Sequence, residues 1–78
     1  MSDELFERFR KTAAESLSKT PAEITMEANF ADDLDADSLD LVQMVMDMEE
    51  EFDITVDEEE LEGITTVGQA FTLIQSKL

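Results

Sequence analysis

Residues 33–40 read "DLDADSLD", with carboxylates at Asp33, Asp35, Asp37 and Asp40 and one hydroxyl at Ser38. Two chemistries fit these types at this spacing. Alternating acids can ligate a hard cation through oxygen. A serine opening a helix can instead accept a phosphate-linked group, because free N–H groups and the helix dipole favour negative charge there. An ordinary helix-capping serine is the plain alternative. A calcium loop of the EF-hand type needs acids at positions 1, 3 and 5, Gly at 6 and a bidentate Glu at 12. Asp33, Asp35 and Asp37 meet the first three, but position 6 is Ser38 and position 12 is Met44. Starting at Asp35 puts Leu39 at position 5. No dedicated metal site is expected, while weak, nonspecific binding of Ca²⁺ or Mg²⁺ to so many carboxylates stays open.

Catalysis by the chain itself is not expected. It has no His and no Cys, which removes Ser–His and Cys–His nucleophile pairs. Nothing ties Lys19 to Ser38, and an unassisted serine hydroxyl is a poor nucleophile at neutral pH. If Ser38 reacts, another enzyme must activate it.

The charge is strongly one-sided. Five basic and 21 acidic residues give a net charge of −16. After Lys19 the only basic residue is Lys77; taking away Asp3, Glu4, Glu7 and Glu15 leaves 17 acids in that later part. Such a surface repels nucleic acid and anionic membranes and attracts basic patches on partner proteins. With 78 residues, 42% of them hydrophobic, the chain is read as one domain, 1–78, with a modest core. No apolar run approaches a membrane span, "MSDELFERFRK" holds no apolar signal core, and the absence of Cys fits a reducing compartment, so a cytoplasmic monomer is expected.

Two Gly and one Pro favour helices over turn-rich β structure. Leu5, Phe6, Phe9, Ala13 and Leu17 give one face of a helix over 3–18, capped by Ser2 and ended by Lys19-Thr20-Pro21. A long connection, 19–37, carries a turn at "TPAEI" with Thr20 and Glu23 spaced as a capping box, and Ile24, Met26, Phe30 and Leu34 as apolar anchors. A second helix is expected to start at Ser38 as its N-cap and run to Phe52. It carries two apolar stripes. Leu41, Met44, Val45, Met48 and Phe52 form one; Leu39, Val42 and Met46 form the other, beside Asp40, Asp47 and Glu50. The second stripe is either a docking surface or part of a helix buried on most sides. Ile54 and Val56 read as core contacts. Asp57 and Glu60 fit a capping box for a short helix that Gly63 would end. Thr66 caps a last helix in which Val67, Ala70, Phe71, Ile74 and Leu78 share a face and Lys77 sits at the negative end.

"FADDLDADSL", "DSLDLVQMVMDMEEEF" and "ITTVGQA" together resemble the acyl carrier proteins, over nearly the whole chain. The resemblance is to the bacterial dissociated fatty-acid type. It implies an all-α fold, a small antiparallel four-helix bundle of three longer helices and one short one, with a long loop between the first two. It implies no enzyme activity but a carrier role. Ser38 would bear 4′-phosphopantetheine, added from coenzyme A by a phosphopantetheinyl transferase, and its thiol would carry acyl thioesters between enzymes of fatty acid synthesis, which bind through basic patches. Asp37, Leu39, Asp40, Val42, Gln43, Met46, Glu49, Glu50 and Ile64 match partner-recognition positions. Phe30, Leu34, Met44, Val45, Met48, Val56, Leu61, Ala70 and Phe71 match positions lining an acyl-chain cavity, for which adaptable Met side chains are suited. The chain departs from the family where Asp35 replaces a common Gly, Asp57 a common Pro and Gln43 a common acid. A polyketide-pathway carrier is the alternative within the class; an unmodified acidic helical adaptor or cation-binding protein is the alternative outside it.

Overall fold

Three α-helices account for most of the chain in the computed structural model, which describes residues 2–78, with side chains from residue 4 onward. They are α1 (Ser2–Leu17), α2 (Ser38–Phe52) and α3 (Val67–Lys77). Two single turns of 3₁₀ helix, Pro21–Glu23 and Glu58–Leu61, lie in the connections. The described residues contain no strand, only an isolated bridge between Asn29 and Thr66. The fold is therefore all-helical, with the second 3₁₀ turn where the short helix was expected. The cap expected at Ser2 lies outside the described side chains.

One cluster of side chains forms the core. Phe9 and Ala13 from α1, Met44, Val45, Met48 and Phe52 from α2, and Val67, Ala70, Phe71 and Ile74 from α3 are all buried. Phe6, Phe9 and Phe71 make an aromatic cluster that joins α1 to α3. The Phe71 ring meets the other two edge-on, with centroids 5.0 Å from Phe6 and 5.3 Å from Phe9. Arg8 links α1 to α2, donating from Nη2 to a Glu51 carboxylate oxygen at 2.9 Å and lying over the Phe52 ring.

The long connection is pinned rather than loose. Ile24, Ala28, Phe30, Leu34 and Ala36 are buried. Asn29 organises its middle. Its side-chain oxygen accepts from the N–H groups of Ala31 and Asp32, and its own N–H donates to Asp33 at 2.7 Å. Backbone bonds tie this segment to the start of α3: Phe30 N–H to the Thr65 carbonyl, Val67 N–H to that of Ala28, and Gly68 N–H to that of Met26. The last approach is close: a Cβ on residue 68 would lie 3.0 Å from the Met26 oxygen, a tight contact that glycine avoids. Met26 itself, expected as an anchor, is 43% exposed; its backbone makes the contact and its side chain stays at the surface. Leu78, expected on the buried face of α3, lies past the helix end and is exposed.

Among the described residues, left-handed backbone appears at three non-glycine positions, Ser18, Asp35 and Asp53. Ser18, not the Lys19-Thr20-Pro21 sequence, ends α1: it turns left-handed and lets the Lys19 N–H reach the Ala14 carbonyl at 2.9 Å. Asp53 ends α2 in the same way. Gly63, expected to end the short helix, has no positive φ, so its freedom is not used there. Asp35 has φ 52°, which gives the usual family Gly a reason: a side chain here meets its own backbone. Asp35→Gly should raise unfolding stability by about 1 kcal/mol in urea titration. An unchanged or lowered value would mean that the Asp side chain fully offsets the strain.

Candidate functional site

The segment around Ser38 is built by a reciprocal cap. The Asp40 N–H donates to Asp37 Oδ1 at 3.0 Å, and the Asp37 N–H donates to Asp40 Oδ2 at 3.2 Å. Asp37 is thus the N-cap of α2, and Ser38 is its first helical residue, not the cap expected from sequence. The difference matters chemically. The capping role falls to a neighbour, so the Ser38 hydroxyl is not spent on it, and the residue is exposed at the positive end of the helix.

The other aspartates of the stretch do not form a cation cage. Asp33 accepts from the Asn29 N–H, Asp37 from the Asp40 N–H, and Asp35 occupies the left-handed bend between them. Among the described residues, no three acidic side chains are grouped to hold a metal ion.

Two open grooves meet at Ser38. One, of about 410 Å³, runs between α2 and the 3₁₀ turn and is lined by Leu41, Val42, Glu58, Glu59, Leu61 and Glu62. The other, of about 280 Å³, runs toward the long connection past Phe30, Ala36, Leu41 and Ile64. Ser38 and Leu41 line both. Helical spacing in the sequence places Leu41 in the core stripe. Its position one helical turn after Ser38 was the signal that the two side chains share a face. Nothing in the sequence pattern places Glu58, Glu59 and Glu62 along this groove, where the structure puts them.

The face of α2 next to Ser38 is apolar and unpartnered. Leu39 is 79% exposed and Met46 53%, while Val42 is half-buried. The helix therefore buries one stripe and leaves most of the other in solvent, which removes the alternative of burial on most sides. Gln43 donates to Asp47 at 3.1 Å, and Glu50 is exposed. Glu49 is different: it is half-buried and accepts from the Val56 N–H at 2.8 Å, tying α2 to the following loop. Ile64 is half-buried, with its N–H on the Leu61 carbonyl at 3.1 Å. The residues matched to an acyl cavity all lie in or against the single core cluster. Of these, Leu61 reaches the first groove and Phe30 the second.

The Glu60 carboxyl is held below its usual range, chiefly because Lys77 donates a hydrogen bond to it at 2.7 Å.

The sequence of this chain matches the family model of the phosphopantetheine attachment site over residues 7–74. It belongs to the acyl carrier protein family. A protein named acyl carrier protein from Petrotoga mobilis is 49% identical over 76 residues, spanning 97% of this chain and 89% of that protein. Another of that name from an Exiguobacterium species is 48% identical over 69 residues, 88% of this chain and 87% of that one. Proteins of this family are carriers rather than enzymes, and they bear a covalently attached 4′-phosphopantetheine. The residues of this chain fit that group: an exposed, uncommitted primary hydroxyl stands at a helix N-terminus, flanked by grooves with apolar walls. Among the described residues, no helix is long and apolar enough to cross a membrane.

Proposed function

We propose that the chain is a single carrier domain, modified at Ser38, that shuttles acyl thioesters between enzymes of fatty acid synthesis in the cytoplasm, as a monomer. The observation that carries the site is the transfer of capping from Ser38 to Asp37. It leaves the hydroxyl available to a transferase without loosening the helix start. Asp37 and Asp40 have a second duty, because their mutual cap keeps Ser38 at a fixed place at the helix origin.

When bound, the phosphopantetheine supplies a thiol that a cysteine-free chain lacks. The chain's own residues do the rest. Ser38 provides the oxygen for a phosphodiester. Leu41, Val42 and Leu61 offer apolar walls along which an attached group can lie out of water. The core residues Phe30, Leu34, Met44, Val45, Met48, Val56, Ala70 and Phe71 would receive longer acyl chains by repacking, with Met44 and Met48 the most adaptable among them. The 3₁₀ turn at Glu58–Leu61 serves as the short fourth element of the bundle.

Docking falls to Leu39, Val42, Gln43, Met46 and Glu50, with Ile64 at the far side of the groove. Apolar contacts there give affinity, and the surrounding acids steer basic partners. Incubation with coenzyme A and a phosphopantetheinyl transferase should add the mass of one phosphopantetheine. No gain with broad-specificity transferases would sink the proposal.

The docking face has its own test. Met46→Ala and Glu50→Lys should each lower transferase kcat/KM by about tenfold, a loss of ~1.4 kcal/mol in the encounter or transition state. Circular dichroism should change little, since both side chains are exposed. Helicity lost in step with modification would make these residues structural instead.

A further inference from the structure

Lys77 closes α3 and is the sole basic residue after Lys19. It does not point into open solvent. Its Nζ lies 2.7 Å from Glu60 Oε1, and the two side chains are only 29% and 27% exposed. The same Glu60 oxygen accepts from the Asp57 N–H at 3.4 Å, the link that closes the start of the 3₁₀ turn. Glu60 thus joins the end of α3 to the turn's own framework.

The residues on either side of Glu60 face elsewhere. Glu58, Glu59, Leu61 and Glu62 line the groove beside Ser38. This wall is one 3₁₀ turn long, and such turns have poorer hydrogen-bond geometry than an α-helix. It also carries Asp57, Glu58, Glu59, Glu60 and Glu62 within six positions, a run whose self-repulsion favours separation. Lys77 sets a cation against that repulsion, paired with Glu60 in the middle of the run.

We propose that Lys77 is a positioning residue for the carrier site: by holding Glu60 it fixes the 3₁₀ turn as the wall of the groove beside Ser38, and so sets how well that groove shelters an attached acyl thioester. The sheltering half rests on the modification of Ser38; the positioning half does not.

Amide hydrogen exchange on the unmodified protein at low salt tests the positioning half. In Lys77→Gln the amides of residues 58–64 should exchange about fivefold faster, and Lys77→Arg should restore them. Loss of the favourable charge at the helix end alone would speed exchange only over 73–78. That pattern, unchanged rates over 58–64, or a uniform rise along the whole chain would each overturn the proposal. Hydroxylamine cleavage of an octanoyl thioester on the loaded protein tests the sheltering half. It should be about threefold faster in Lys77→Gln, and unchanged in Arg8→Gln, which breaks the pair between α1 and α2 instead. Equal cleavage rates for wild type and Lys77→Gln would overturn sheltering. If Ser38 takes no phosphopantetheine, the carrier function fails and the exchange result still decides the tether.

Discussion

Ser38→Ala is expected to abolish the gain of one phosphopantetheine while leaving unfolding stability nearly unchanged. Both halves come from the helix start. Alanine removes the only hydroxyl between Thr25 and Thr55, so no neighbouring oxygen can substitute. It costs little, because the first helical position is not the cap and alanine is a good helix former. The informative partner is Asp37→Ala. That change removes the acceptor of the Asp40 N–H and should cost about 1 kcal/mol of stability. Modification should slow with it but not vanish, because the hydroxyl remains. Intact mass and urea titration on the two variants separate the roles. Equal loss of stability in both would return the capping role to Ser38. A persistent mass gain in Ser38→Ala would move the attachment point elsewhere.

Phe71→Ala is expected to be a severely damaging truncation of the core. Phe71 is 5% exposed and closes an aromatic cluster with Phe6 and Phe9, two edge-on contacts that hold α3 to α1. Removing a buried phenyl group typically costs 3–5 kcal/mol, through lost transfer energy and an unfilled cavity. A 78-residue domain has only about 4–12 kcal/mol in total, at roughly 0.05–0.15 per residue. The variant should therefore unfold at a much lower urea concentration, or be partly unfolded in buffer. Phe6→Ala provides the comparison. Phe6 is only half-buried, so its loss should cost clearly less. Equal costs would mean that the cluster acts as a unit rather than through Phe71.

The sequence reveals most where a local rule has a single answer. Thr66 caps α3, with the Gln69 side chain reaching back to it, as a hydroxyl ahead of an apolar-periodic run suggests. The two stripes of α2 separate into a buried and an exposed set because helical spacing alone fixes the angle between them. Errors arise where neighbours compete. Asp37 and Ser38 are both good caps, and the residue three places on decides. Asp37 finds Asp40 there and can close a reciprocal pair; Ser38 finds Leu41 and cannot. This signal is legible in the sequence itself. The bonds from Glu49 to Val56 and from Lys77 to Glu60 are another matter. They depend on how loops return to helices, which no periodicity encodes.

The charge pattern has a consequence for motion before contact. Within residues 1–19, four acids and four bases cancel, so the rest of the chain carries the whole net charge of −16. The centre of negative charge is therefore displaced away from α1, giving the molecule a permanent electric moment as well as a net charge. In the field of a basic partner it experiences torque as well as attraction. It would rotate while still separated by solvent, with the neutral first segment trailing and the acidic remainder leading. Fewer collisions would then be wasted on the wrong orientation, and added salt would slow association by erasing this alignment as much as by weakening the pull.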